Sequence, residues 1–218
     1  MELKGKKIIF LGDSITEGVG ASATDKRYTD LVAQKTGATV YNHGIGGTRI
    51  AKQKKPSYDP NCDMDFFSRV KDFEKDADII VVFGGTNDYG HGDAELGTFS
   101  DRTNETCYGA LHALYTSLRV QFPFAKIVVM TPLHRVNEES LLNDHNSFVP
   151  IAPLKTYVEI IREVAEYYSY PVLDMFKVSG IQPNIPASRE AYTVDGVHPN
   201  DAGYELISDM VINFLKTL

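Results

Sequence analysis

The sequence predicts an α/β fold in which helices cover both faces of a parallel, five-stranded sheet, giving three layers. Short apolar runs rich in β-branched residues recur along the chain, and segments with apolar residues at helical spacing alternate with them. The first run ends abruptly at Gly12, which is typical of a parallel strand buried on both faces. Alternating strands and helices imply right-handed crossovers. A doubly wound order such as 2-1-3-4-5 fits five strands, although one sequence does not fix the order.

The predicted strands are the short apolar runs, and they span residues 7–11, 38–42, 78–83, 126–131 and 171–174. The third of them is the most continuous apolar run in the chain. Pro132 ends the fourth, because proline has no N–H to donate to a strand ladder.

The predicted helices span residues 28–36, 65–75, 104–121, 153–168 and 201–218. Gly37 ends the first of them, Pro153 suits the first turn of the fourth, and Asn200 can cap the last. Polar or glycine-containing segments are predicted loops, namely residues 52–63, 84–100, 133–148 and 178–192. Residues 133–148 are interpreted as an insertion over the ligand crevice. Since no repeat or linker interrupts the pattern, residues 1–218 are predicted to form a single domain.

The amino-acid composition excludes some classes of binding partner. The 218 residues carry a formal net charge of −7, and 43% of them are hydrophobic. An acidic chain lacks the basic face that nucleic acids and anionic membranes require, so neither is an expected partner. No apolar stretch approaches the length that crosses a bilayer, and membrane insertion is therefore not expected. These features do not predict the oligomeric state.

The two cysteines, Cys62 and Cys107, are not spaced as a zinc site. They could pair in one disulfide, but two free thiols in a reducing compartment is the preferred interpretation. Lysines precede the first apolar run, as in a secretion signal, yet that run ends at Gly12 and is too short for one. The expectation is a cytoplasmic protein, with secretion left open if a leader has been removed from the sequence.

Ser14 follows Gly12 and Asp13 at the carboxyl end of the first predicted strand, at the edge where open α/β sheets bind ligands. A hydroxyl at this turn is accessible, and the next helix offers backbone N–H groups to developing negative charge. Ser14 is therefore a candidate nucleophile, provided that a base removes its proton. The alternative is that Asp13 or Ser14 only caps the next helix. The Gly-x-Ser-x-Gly motif of the α/β-hydrolases does not occur around Ser14.

His198 is the candidate base. An aspartate three residues earlier, Asp195, can turn back on a tight loop and accept a hydrogen bond from the imidazole. This fixes the tautomer and leaves the other ring nitrogen free to face Ser14. The alternative is a surface loop in which Asp195 caps a turn.

Gly47 and Asn87 are candidate oxyanion donors. Gly47 lies in Asn42-His43-Gly44-Ile45-Gly46-Gly47-Thr48, where three glycines allow close approach of the backbone to a ligand. Asn87 follows the third predicted strand, and its carboxamide can donate a hydrogen bond without a change of charge. The alternatives are a tight turn or phosphate loop for the glycines, which lack a nucleotide fingerprint, and a turn-forming role for Asn87.

Taken together, the four stretches supply a nucleophile, two oxyanion donors, a base and the carboxylate that orients it, which is the set that acyl transfer requires. They also resemble the four characteristic blocks of the SGNH (GDSL) hydrolases, in the family's order. The blocks are Gly12-Asp13-Ser14, Gly47 within Asn-x-Gly-x-x-Gly-Thr, Gly85-Thr86-Asn87-Asp88 and Asp195-x-x-His198.

The resemblance implies a flavodoxin-like three-layer α/β/α fold and a serine esterase with neither cofactor nor metal. Carried over by position, Ser14 is the nucleophile and also lends its own N–H to the oxyanion hole. Gly47 and the side chain of Asn87 complete that hole. His198 is the base, and Asp195 orients it.

The expected substrate is a small-molecule ester. Polar loops around the crevice favour a short acyl group, acetyl in particular, on a polar alcohol such as a carbohydrate. A lysophospholipase or thioesterase with the same residues, and a non-catalytic glycan-binding module on the same fold, remain open. Asp13, Tyr89 and His134 are expected substrate contacts, and His91 is a further candidate for lining the pocket. A metal site on Asp13, Asp88, Asp195 and His198 would leave Ser14, Gly47 and Asn87 unexplained, so none is expected.

Overall fold

The computed structural model describes residues 1–142 and 152–218 of the chain. In this part of the chain, five parallel strands form one sheet: β1 (Lys7–Gly12), β2 (Thr39–Gly44), β3 (Ile79–Phe83), β4 (Lys126–Met130) and β5 (Val172–Leu173). Their spatial order is β2-β1-β3-β4-β5, so the predicted doubly wound order is confirmed. Each strand lies where the sequence predicted it, with ends that differ by two residues or fewer.

The helices of the described residues are α1 (Ser14–Glu17), α2 (Tyr28–Thr36), α3 (Phe66–Arg69), α4 (Thr86–His91), α5 (Cys107–Gln121), α6 (Leu154–Tyr167), α7 (Met175–Val178), α8 (Pro186–Tyr192) and α9 (Asp201–Thr217). Short 3-10 helices span Thr24–Lys26, Pro60–Asp63 and Val70–Asp72. The predicted bounds of α2 are confirmed, and Gly37 ends it with a left-handed φ of 73°. Asn200 caps α9 by accepting the N–H of Gly203 at 3.0 Å.

Three predictions of local structure differ from the observed structure. The predicted loop at residues 84–100 contains α4, whose polar sequence has no apolar periodicity to reveal a helix. The predicted helix at residues 65–75 turns into a 3-10 helix after one turn and ends at Phe73, which is extended and buries its ring in the core. The predicted loop at residues 178–192 contains α8. From residue 143 onward, the predicted insertion at 133–148 lies outside the described residues.

Alternate residues of the strands face opposite helical layers. One face of the sheet carries Ile9 and Ile80, which pack with residues of α3, α5 and α6 in one apolar cluster. The other face carries Phe10 and Val81, which pack with residues of α2 and α9 in a second cluster. Because successive side chains of a strand point to opposite sides, one short strand can serve both cores. The predicted three-layer arrangement is confirmed.

The carboxyl ends of β1, β2 and β3 lie side by side and bring α1 close to them. Gly12 at the end of β1 pairs with Gly44 of β2 and Phe83 of β3. A Cβ added at Gly44 would lie 2.0 Å from the backbone nitrogen of Glu17 in α1, and one added at Gly12 would lie 1.9 Å from the Thr16 hydroxyl. Glycine at these two positions therefore allows the first turn of α1 to rest against the strand ends.

Replacement of Gly44 by alanine is expected to lower the free energy of unfolding by about 3 kcal/mol, because the new methyl group overlaps backbone atoms of α1 that cannot move alone. Gly180→Ala is the matched control. Gly180 has a left-handed φ of 72° and no atom near its added Cβ, so the substitution should cost about 1 kcal/mol of strain. Urea unfolding of both variants measures the difference, and equal losses would contradict the close-approach explanation.

Candidate active site

Ser14, His198 and Asp195 form a continuous line of hydrogen bonds at the carboxyl edge of the sheet. The Oγ atom of Ser14 lies 2.9 Å from Nε2 of His198, and Nδ1 of His198 lies 2.7 Å from Oδ2 of Asp195. An ionised carboxylate only accepts, so Nδ1 carries the proton and Nε2 is left to accept from the serine hydroxyl. Although 184 positions separate Ser14 from His198, the fold brings together the residues that the sequence predicted.

The loop that carries Asp195 and His198 is held by its own hydrogen bonds. The Oδ1 atom of Asp195 accepts the backbone N–H groups of Val197 at 2.8 Å and His198 at 2.7 Å. Partial burial would by itself raise the pKa of Asp195, but the hydrogen bonds from the His198 ring and from these backbone groups hold that pKa below its ordinary 3.8. Asp195 therefore stays ionised near neutral pH and keeps the imidazole in one orientation.

Ser14 begins α1, directly after the buried Asp13. The Asp13 side chain is 2% exposed and accepts the backbone N–H of Ile15 at 3.0 Å, so it caps this short helix from inside the protein. Burial raises the pKa of the Asp13 carboxyl to about 6, against the opposing effects of that N–H and of the nearby His198 and Arg69. Asp13 thus caps the helix, as one interpretation of this turn predicted, while Ser14 faces His198.

Gly47 lies in a loop whose following residues are hydrogen-bonded to side chains of α4. Its φ of 73° is left-handed, and an added Cβ would lie 2.5 Å from Sγ of Cys62, so two constraints favour glycine here. One residue later, the carbonyl of Thr48 accepts from Nδ2 of Asn87 at 3.0 Å. The carboxylate of Asp88 accepts the N–H groups further along the loop, those of residues 50 and 51, at 2.9 Å each. These bonds set the glycine loop and α4 at a fixed separation.

Two buried arginines complete the support of the site, and the sequence analysis missed them. Arg69 is 5% exposed and donates to the carbonyl of Gly12, the carbonyl of His43 and the hydroxyl of Thr48. Arg49 is equally buried and donates to Nδ1 of His91 at 2.7 Å. Arginine is usually exposed, and no local pattern in the sequence distinguishes these two from arginines at the surface.

The expected substrate contacts have other partners in the structure. Asp13 and Tyr89 are each 2% exposed, and the hydroxyl of Tyr89 donates to the carbonyls of Asn137 and Ser140. Both side chains are buried and hydrogen-bonded within the protein, which differs from the expectation that they contact the substrate. His134 is half-buried, lies against the ring of Phe176 and has its Nδ1 atom 2.9 Å from the carboxylate of Glu138. Among residues 1–142 and 152–218, no contact assigns His134 to the crevice.

An open pocket of about 350 Å³ lies beside Gly47. Its lining consists of Gly47, Arg49, Ser57, Tyr58, Asp59, Cys62 and His91. His91 therefore lines a pocket, and its role as a lining residue of the substrate pocket stays a prediction. Cys62 and Cys107 are both free thiols, as expected. Within residues 1–142 and 152–218, no three potential metal ligands come together.

Comparison with known proteins identifies relatives over almost the whole chain. The family model described as GDSL-like lipase/acylhydrolase matches residues 10–206. A protein of known structure from Lactobacillus plantarum is 30% identical, with 98% of each chain covered and a TM-score of 0.83. No curated protein matches the chain in sequence.

More distant structures share the fold. A lipase/acylhydrolase from Enterococcus faecalis is 23% identical, with 97% of this chain and 96% of that chain covered and a TM-score of 0.67. The acetyl xylan esterase AlAXEase is also 23% identical, with 96% and 99% covered and the same TM-score. None of the helices in the described ranges has the length and apolar character needed to cross a membrane.

The raised pKa of Asp13 predicts a change of stability with pH. A carboxyl whose pKa is about 6 when folded and 3.8 when unfolded favours the folded state below about pH 4, and this contribution is lost as the pH rises through 6. Between about pH 4 and pH 7, the wild type should lose about 3 kcal/mol of unfolding free energy relative to Asp13→Asn. Urea unfolding at both pH values measures the difference, with Asp25→Asn, an exposed aspartate, as the control. A constant difference would contradict the raised pKa.

Proposed function

Because this chain belongs to the GDSL-like lipase/acylhydrolase family, we propose that it is a serine ester hydrolase working through Ser14, His198 and Asp195. The observation that carries the proposal is the unbroken path from the Ser14 hydroxyl, 2.9 Å from Nε2 of His198, to the Asp195 carboxylate, 2.7 Å from Nδ1. A serine hydroxyl needs such a base before it can attack a carbonyl.

The reaction takes place in two halves. Oγ of Ser14 attacks the ester carbonyl while Nε2 of His198 takes its proton, and Asp195 stabilises the resulting imidazolium. His198 then gives the proton to the leaving alcohol, and an acyl group stays on Ser14. In the second half, a water molecule attacks this acyl-enzyme while His198 takes its proton, and His198 returns that proton to Oγ of Ser14 as the bond to the acyl group breaks and the carboxylic acid leaves.

Negative charge develops on the carbonyl oxygen in both halves. We assign three donors to it: the backbone N–H groups of Ser14 and Gly47 and the Nδ2 group of Asn87. Asn87 is 7% exposed, so its donor acts in a site largely closed to water. Loss of one such donor typically costs about 3 kcal/mol of transition-state stabilisation.

The pocket beside Gly47 supports a short acyl group on a polar alcohol. Its polar groups include the Ser57 hydroxyl and the Asp59 carboxylate, and Tyr58 offers a fully exposed ring. A sugar presents hydroxyls and an apolar ring face, and this combination of groups matches both. An acetyl ester of a carbohydrate is therefore the proposed substrate class.

Ser14→Ala is expected to lower hydrolysis of p-nitrophenyl acetate by at least about 10³-fold, because no other group replaces the nucleophile. A fluorophosphonate probe should label the wild type at Ser14, as located by mass spectrometry, and should not label the variant. Ser100→Ala, at an exposed serine in a surface loop, is the control and should behave as the wild type. A folded wild-type protein that neither hydrolyses the ester nor reacts with the probe would refute the hydrolase proposal.

The acyl preference is tested with a series of p-nitrophenyl esters and with acyl-CoA. We expect kcat/KM to fall by about tenfold or more from the acetyl to the octanoyl ester, because no aliphatic side chain lines the pocket to pack against added methylene groups. Acetylated xylose is included in the series as an acetyl ester of a carbohydrate. A rise in kcat/KM with chain length, or faster hydrolysis of acyl-CoA, would favour the lysophospholipase or thioesterase alternative.

A further inference from the structure

A chain of hydrogen bonds runs from a buried arginine to Asn87. Nη2 of Arg49 lies 2.7 Å from Nδ1 of His91, and Nε2 of His91 lies 3.1 Å from Oδ1 of Asn87. The Nδ2 group of Asn87 then donates to the carbonyl of Thr48 at 3.0 Å. Arg49 and Asn87 are 5% and 7% exposed, so the two ends of this relay are shielded from water.

The donor and acceptor roles along the relay follow from its first member. A guanidinium has only donors, so Nδ1 of His91 must accept and carries no proton. In the neutral imidazole the proton is then on Nε2, which donates to Oδ1 of Asn87. The carboxamide orientation is therefore determined by the network, with its oxygen towards His91 and its nitrogen towards Thr48.

This orientation leaves one hydrogen of Asn87 available. The Nδ2 group has two hydrogens, of which one is donated to Thr48. A flipped carboxamide would place Oδ1 against the carbonyl of Thr48, two acceptors facing each other, and would place Nδ2 against the Nε2–H group of His91. Both contacts would be repulsive, so the relay disfavours the flip and keeps the second Nδ2 hydrogen free for a ligand.

We propose that His91 and Arg49 are positioning residues, which fix the neutral tautomer of His91 and thereby hold the Asn87 carboxamide in the orientation that donates to the oxyanion. The inference rests on the proposed esterase function, in which Asn87 is an oxyanion donor. His91 acts through Asn87, and Arg49 acts through His91.

Arg49 is itself fixed by contacts on the far side of the relay. Its Nη1 atom donates to the carbonyl of Cys62 at 3.0 Å and faces Asp63 at 3.5 Å, and its Nη2 atom also donates to the Ser57 hydroxyl at 3.2 Å. Asp63 supplies a counter-charge, which lowers the cost of burying the guanidinium. The relay thus begins at a guanidinium, which can only donate. The donor and the acceptor of each later hydrogen bond are therefore determined.

Two substitutions of His91 separate hydrogen bonding from packing. His91→Phe keeps an aromatic ring without polar atoms, and His91→Gln keeps an acceptor for Arg49 and a donor for Asn87, at the i, i+4 spacing that lets such side chains meet on a helix. We expect His91→Phe to lower kcat for p-nitrophenyl acetate by about 10- to 100-fold with KM changed less than about threefold, since one oxyanion donor is worth about 10²–10³ in kcat. His91→Gln should recover most of that loss.

The same substitution in a second background tests whether His91 acts through Asn87. In the Asn87→Ala variant, His91→Phe should change kcat by less than about twofold, because no carboxamide remains to be oriented. His112→Phe is the matched control, since His112 is also a helical histidine that hydrogen-bonds a neighbouring side chain, Tyr168, outside the relay. It should leave kcat unchanged, and thermal unfolding of each variant reports on folding.

A measurement without substrate distinguishes failure of this inference from failure of the proposed function. In the ¹⁵N-labelled wild type, long-range ¹H–¹⁵N spectra should give His91 a protonated Nε2 and an unprotonated Nδ1, whether or not the protein hydrolyses esters. A proton on Nδ1 would overturn the relay. So would an unchanged kcat in His91→Phe, or an equal loss of kcat with and without the Asn87 side chain.

Discussion

The site depends on the close approach of α1 to the ends of β1 and β2. Gly12 and Gly44 have no side chain where one would overlap α1, and the Nδ2 group of Asn42 donates to the carbonyl of Thr16 at 2.7 Å. The short helix is therefore fixed to the sheet from two directions. Because Ser14 is the first residue of that helix, the contacts between α1 and the strand ends also fix the position of Ser14.

Around this contact, buried polar groups hold the other loops in place. Asp88 accepts two backbone N–H groups beyond Gly47, and Arg69 donates to the end of β1, the end of β2 and Thr48. Burial raises the pKa of Asp88 and lowers that of Arg69 to about 10, so both groups are charged at some cost in desolvation. Satisfied hydrogen bonds offset that cost and make the arrangement specific, since a substitute without the same geometry would leave buried partners unsatisfied.

The two sides of the proposed site differ in how they are stabilised. On the His198 side, a short loop relies on local hydrogen bonds to Asp195, and the Asp195 side chain is 49% exposed. On the Asn87 side, the carboxamide is buried and is held by the hydrogen bonds that begin at Arg49. The proposed base can therefore exchange protons with solvent, while the proposed Asn87 donor lies where electrostatic interactions are stronger.

Sequence alone determined the strands and their alternation with helices, and it supplied the candidates Ser14, Gly47, Asn87, Asp195 and His198 for the site. The reason is that apolar runs, turn-forming residues and the blocks around these residues are local patterns, and the carboxyl ends of parallel strands necessarily share one edge. The polar helix α4 and the break after α3 were missed, because anchoring to distant residues overrides weak local preference there.

Only the tertiary structure decided which side chains face the crevice. Asp13 and Tyr89 stand beside the blocks in sequence, yet the fold buries them and satisfies them internally. Arg49 and His91 are 42 positions apart, and no local pattern in the sequence predicts the hydrogen bond between the guanidinium and the imidazole. Which side chains are buried, and which distant residues they bond, depends on how the helical layers pack on the sheet. These properties are therefore decided by the tertiary structure.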